Sequence, residues 1–295
     1  MTASSESATF ESASLETTSF EDRYFSGAAL YGDDFDAARI AGWYGVAARN
    51  LEEEFARTAP DRPGYRYEYH ALNHRHAFRF LAGRRFRQAL AFGCAAGDDV
   101  APIAGQVERF LAVEPIERFW KSDIAGTPVE YRRPTLGGRI DCADGANDLT
   151  VCLHTLHHIP NAGALLAEFA RVTAPGGLFI LREPISTMGD WRRPRRGLTA
   201  NERGFPVAWL EERFARLGFT VRQRRFCSFP LTERLGPLLG VPLPYGNPLL
   251  VRLDEAACAL TRWNIAYHRD SLRRKFAPGA AYYVLERATT TPARP

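Results

Sequence analysis

Between residues 88 and 184 the chain reads, in order, Gln88-Ala89-Leu90-Ala91-Phe92-Gly93-Cys94-Ala95-Ala96-Gly97, Leu111-Ala112-Val113-Glu114, Asp148-Leu149-Thr150-Val151-Cys152-Leu153-His154 and Gly176-Gly177-Leu178-Phe179-Ile180-Leu181-Arg182-Glu183-Pro184. Gln88 to Phe92 is a short apolar segment that reads as a buried strand. It breaks at Gly93 to Gly97, ahead of a helix expected over Asp99 to Phe110. Small side chains in that break let a cofactor approach the backbone. Leu111 to Glu114 follows as a second strand. Glu114 at its carboxyl end offers two acceptor oxygens, enough for both hydroxyls of a ribose. Strand, glycine turn, helix, strand and acid form a nucleoside-binding order.

The later segments narrow this reading. Asp144 to Leu153 is a turn leading into a strand, followed by His154-Thr155-Leu156-His157-His158-Ile159-Pro160. A helix is expected from about Ala162 to Val172, and then Ala174-Pro175-Gly176-Gly177 precedes another apolar strand. This order resembles the class I S-adenosylmethionine-dependent methyltransferases, in particular the type 11 group related to quinone-biosynthesis methyltransferases. Their pattern joins a glycine-rich first loop, "D-x-x-F-D-L", "L-H-H" and "P-G-G". The resemblance covers about a third of the chain. It implies S-adenosyl-L-methionine as cofactor, held by Gly93, Cys94, Ala95, Gly97 and Glu114. Ile140 and Asp141 would adjoin its adenine, and Leu153 and His154 would lie at the following strand end. Such proteins usually carry an acid at the position of Ala91 and a glycine at that of Ala95. The missing carboxylate is one that helps hold the methionine amino group. Asp98 and Asp99 either substitute for that charge or favour the amino terminus of the expected helix through its dipole.

Composition fits an enzyme with a sizeable core: 295 residues, 45% hydrophobic and 24% charged. Residues 1–20 are expected to be a disordered leader, because they are rich in Ser, Thr, Ala and Glu and carry neither a basic residue nor an apolar run. That composition argues against a secretory or transit signal. With no run approaching the roughly twenty apolar residues of a membrane span, a cytoplasmic location is expected. The five cysteines are scattered and include no C-x-x-C pair, which predicts free thiols and no metal site. The net charge of +4 comes with many arginines and only two lysines, Lys121 and Lys275, a bias that does not predict nucleic-acid binding.

The expected organisation is a helical amino-terminal cap over residues 21–83, a methyltransferase domain over 84–288 with an insertion at 230–278, and a loose tail at 289–295. The expected fold is α/β: a Rossmann-like, doubly wound, seven-stranded, mostly parallel sheet with an antiparallel last strand. Within it, Val207 to Leu217 reads as a late amphipathic helix, Thr220 to Phe229 as the sixth strand and Ala280 to Arg287 as the last. Leu250 to Phe276 has helical periodicity.

Methyl transfer to a hydroxyl needs a base, and His154, Glu183 and His70 are the candidates. An imidazole titrates near neutrality, and a buried carboxylate can be raised towards it. For Glu183 a structural ion pair with Arg182 or another arginine is the competing role. His154, His157 and His158 have the spacing of one helical face, but no acid or thiol nearby in the sequence completes a metal site. The basic run Arg192, Arg193, Arg195 and Arg196 is either a gripping loop for an anionic acceptor or a solvated turn. The expected reaction is therefore methyl transfer to a small-molecule or carbohydrate-like acceptor. Two alternatives stay open: a nicotinamide-dependent oxidoreductase, and a degenerate methyltransferase fold used for binding. Oligomeric state is not legible.

Overall fold

The computed structural model describes residues 23–46, 66–191, 193, 195, 198 and 201–289. The expected leader, the middle of the cap, Arg192, Arg196 and the tail beyond 289 lie outside the described residues. Eight strands form one sheet: β1 (Phe86–Phe92), β2 (Val107–Val113), β3 (Asp123–Ile124), β4 (Thr127–Arg132), β5 (Asn147–Leu153), β6 (Thr173–Pro184), β7 (Phe219–Cys227) and β8 (Ala280–Arg287). Their spatial order is β3-β4-β2-β1-β5-β6-β8-β7. The five central strands are parallel, whereas β8 runs antiparallel to both β6 and β7. This is the expected doubly wound sheet. The eighth strand is the two-residue β3, which turns back antiparallel onto β4 at the edge.

Alternation along the strands sends side chains to two separate cores. Ala89, Ala91, Val151 and Ile180 face a cluster that includes Leu72, Leu81 and Val251, whereas Leu90, Phe92, Cys152 and Phe179 face Leu166, Phe169, Leu210 and Phe214. Helices His70–His76 and Pro248–Thr261 thus cover one face, and Ala162–Val172 and Val207–Arg216 the other. The order β2-β1-β5 places the reversal of winding at the end of β1. A crevice opens there in folds of this kind.

One expected element is absent. In place of a helix over Asp99 to Phe110, the chain makes tight turns and a 3-10 segment, Ala101–Gln106, and β2 begins four residues early at Val107. Pro102 lacks an amide donor and Gly105 has no helical preference, so an α-helix cannot propagate between them. The Thr127 hydroxyl donates to the Ala104 carbonyl at 2.9 Å and fixes the shorter path. The helix-dipole role considered for Asp98 and Asp99 falls with that helix.

Candidate cofactor and acceptor site

The glycine turn closes the end of β1 in a left-handed backbone path: Gly93, Ala95 and Gly97 have φ of 65°, 47° and 85°. A Cβ placed on Gly93 would lie 2.2 Å from Thr155 Cγ2, so the residue is glycine both for its backbone and for the approach of Thr155. Gly93→Val should therefore distort the turn itself, and a fall of at least about tenfold in S-adenosylhomocysteine affinity is expected. Titration calorimetry on the folded variant checks this, and full affinity would place the cofactor elsewhere.

Glu114 follows β2 and is buried. One of its oxygens accepts from the Ala95 amide at 2.9 Å and the other from the Ile116 amide at 3.0 Å. Burial raises its pKa, and these two amides oppose the rise. Each oxygen keeps a second lone pair for a ligand hydroxyl. Tyr131, stacked on Trp120, ties the same turn down by donating to the Ala95 carbonyl at 3.1 Å.

Two buried ionisable groups that sequence reasoning did not assemble, Asp99 and Arg182, feel each other's charge. Asp99 and Arg182 are buried; Asp99 Oδ1 and Arg182 Nε and Nη1 have no hydrogen-bond partner among the described residues. The Arg182 guanidinium sits over the Tyr69 ring at 4.1 Å. Burial pushes the Asp99 carboxyl up to about 7, against the lowering field of Arg182. Burial raises the Tyr67 hydroxyl and the Cys94 thiol, and the Asp99 carboxylate adds to both rises. A buried carboxylate oxygen and guanidinium nitrogens left open match the ammonium and carboxylate of an amino acid. Asp99 was visible in the sequence as a spare acid after the loop. Nothing in the sequence linked Arg182 to Asp99, because only the fold brings the end of β6 to this place.

The histidine segment is built differently from the expected helical face. His154 takes a left-handed φ of 63°, and Leu156–His158 is one 3-10 turn. Glu183, at the end of β6, anchors that turn. Its Oε1 accepts from the Thr155 and Leu156 amides at 2.8 and 2.6 Å, and its Oε2 from the His157 amide at 3.3 Å. His157 Nδ1 lies 2.8 Å from the same Oε2. With both partners buried, Glu183 holds the turn instead of facing a substrate, and its structural partner is His157 where an arginine had been considered. His154 is exposed. Protein packed around its base, then His157 and Arg182, depress its imidazole, although contact with solvent works against the first effect.

Arg203, which the sequence reading also passed over, is wholly buried. It donates to the carbonyls of Tyr31, His157, Ile159 and Pro160 at 2.8–3.2 Å. Trp43 Nε1 adds a bond to the His158 carbonyl at 2.9 Å, so the amino-terminal segment is sewn to the histidine turn. His157, His158 and Glu202 bring ligand-type atoms within 4.8 Å of one another, but His157 Nδ1 is already committed to Glu183.

The remaining predicted residues scatter. Ile140 is buried in the core beneath helix Ala162–Val172, with its amide donating to Glu168 at 2.9 Å. Asp141 is exposed and pairs with Arg132 at 3.2 Å. In the arginine run, Trp191 stacks on Tyr31 with ring centroids 4.9 Å apart, and Arg195 Nη1 donates to the Thr187 and Met188 carbonyls at 3.3 and 3.2 Å. Arg193 is exposed near Asp190 at 3.7 Å. By contrast, His70 and Asp98 share a cleft of about 580 Å³ with Arg66, Tyr67 and the insertion residues Val241–Leu243 and Gly246–Pro248. Among the described residues, the cap and the insertion form its walls.

Residues 90–181 match the family model of a methyltransferase domain. With the sheet order above, the match defines a class I S-adenosylmethionine-dependent methyltransferase domain, and S-adenosylmethionine is its cofactor. The quinone-biosynthesis subgroup is not singled out by that match. Among solved structures, the chain is similar to an S-adenosylmethionine-dependent methyltransferase from Mesorhizobium loti: 16% identity, 72% of this chain and 96% of that one covered, TM-score 0.46. It is also similar to the N-methyltransferase NodS from Bradyrhizobium japonicum, solved with S-adenosylhomocysteine: 14% identity, 81% and 97% covered, TM-score 0.47. None of the curated proteins matches the chain. No helix among the described residues is long and apolar enough to cross a membrane.

Proposed function

We propose that the domain methylates a small, carbohydrate-like or otherwise polar acceptor bound in the cleft between cap and insertion. The carrying observation is that this cleft opens at Asp98, one residue beyond the glycine turn, and is lined by Arg66 and His70. Glu114 would hold the ribose hydroxyls of S-adenosylmethionine, and Asp99 and Arg182 its amino-acid end. Bound there, the cofactor supplies an electrophilic sulfonium methyl. The walls would hold the acceptor in line with it, and such positioning can remove about 7–11 kcal/mol of a barrier. His70 is the base proposed for a hydroxyl acceptor because it faces the cleft, with exposed His154 as the second candidate. Arg66 gives the cleft a grip on an anionic group.

Glu114→Ala is expected to weaken S-adenosylhomocysteine by about 1.5–3 kcal/mol, as for a charge-assisted pair of hydrogen bonds. Unchanged affinity in the folded variant would remove Glu114 from the ribose site. For the acceptor, phosphorylated sugars, nucleotide sugars and small phenols are screened with labelled methyl donor. Arg66→Gln should then raise KM for an anionic acceptor by about tenfold, with S-adenosylhomocysteine affinity intact. A KM that does not move places the acceptor outside the cleft.

A further inference from the structure

Ten of the thirteen exposed large apolar side chains among the described residues fall between residues 231 and 276, inside the insertion. They are ordered. On helix Pro248–Thr261, Leu249, Leu253, Ala256 and Leu260 recur at spacings of four, three and four, all on the face opposite the buried Val251, Asp254 and Cys258. Leu260 is 75% exposed, and Trp263, three residues on, is 68% exposed. Helix Pro230–Leu238 repeats the pattern with exposed Leu231, Leu235 and Leu238. Both helices thus carry an apolar stripe on the side turned away from the core.

The charges around the stripes indicate what covers them. Residues 230–276 hold seven Arg and Lys against four Asp and Glu, so this segment contributes +3 of the chain's net +4. Two of the acids do not balance that surface: Asp254 is buried against the Ser228 and Phe229 amides, and Glu255 is bonded to Arg75 at 2.6 Å. Arg234, Arg252, Arg262, Arg273 and Arg274 are all exposed, and Arg273 lies over the Trp263 ring at 5.5 Å. The Asn264 amide, donating to the Arg273 and Phe276 carbonyls at 2.6 and 3.1 Å, holds the basic turn beside the tryptophan. Leucine stripes, an interfacial tryptophan and flanking arginines suit the boundary between lipid headgroups and acyl chains. A second copy of the chain would instead set the same arginines against one another.

We propose that the outward face of the insertion docks on the surface of an anionic lipid bilayer, lying on it without spanning it. The test uses the full chain and sedimentation with vesicles of phosphatidylcholine, either alone or mixed with phosphatidylglycerol. Binding is expected to the mixed vesicles, to fall as salt rises from about 0.1 to about 0.5 M, and to drop at least about tenfold in Leu253→Asp/Leu260→Asp. Unchanged S-adenosylhomocysteine affinity and circular dichroism certify the fold of that variant and read the cofactor site separately. The proposal is overturned by equal sedimentation with both vesicle types, or by an unaffected variant. It is also overturned if wild-type chain ignores vesicles and sediments as a dimer that the same two substitutions dissociate.

Discussion

At pH 8, Asp99→Asn is expected to stabilise the ligand-free protein by about 4 kcal/mol, an unusual sign for a core substitution. The Asp99 carboxyl is lifted by burial from 3.8 to about 7. Each unit is worth about 1.4 kcal/mol of differential interaction. The folded chain therefore holds this proton more tightly than the unfolded one, and the cost of ionising it grows as pH rises from about 4 to 7 and is constant above. Asparagine removes the whole cost at pH 8 and none of it below pH 4. Urea midpoints of both proteins at pH 8 and pH 4 measure the difference, and equal gains at the two pH values would refute the burial argument. The same change should lower S-adenosylhomocysteine affinity at least about tenfold if, as proposed, Asp99 holds the cofactor's ammonium. A stabilised variant with full affinity would detach Asp99 from the cofactor.

The opposite sign is expected at Glu183. Glu183→Ala leaves three amides and the His157 ring without their acceptor in a buried place, and a loss of about 3–5 kcal/mol follows. Because those amides belong to the turn that carries His154 and touches Gly93, cofactor affinity should fall with stability. Glu183→Gln retains one acceptor oxygen and should recover part of both. Thermal melts together with S-adenosylhomocysteine titration of the two variants check this. A stable Glu183→Ala protein that has lost only turnover would return Glu183 to the chemistry as a base.

Much of the sheet was legible because its strands are short apolar runs punctuated by glycine and proline, and their lengths and order are local properties. Ala280 to Arg287 forms the last strand and Ala162 to Val172 the helix as read. The helix expected after the first loop gives way to a 3-10 segment because Pro102 and Gly105 interrupt an α-helical backbone there. The candidate site divides along the same line. The sequence by itself determined the glycine turn and placed Glu114 at the end of a strand, since both follow from residue order along one crossover. Tertiary structure alone decided that Arg182 acts on the charge of Asp99, that Glu183 turns inward to His157, that Arg203 ties the amino-terminal segment to the histidine turn, and that the insertion faces His70. Those pairings join residues 26 to more than 170 positions apart, and no local periodicity records them. They exist because a twisted parallel sheet brings the carboxyl ends of its strands to one edge, where charges from distant segments must find partners or remain open for a ligand.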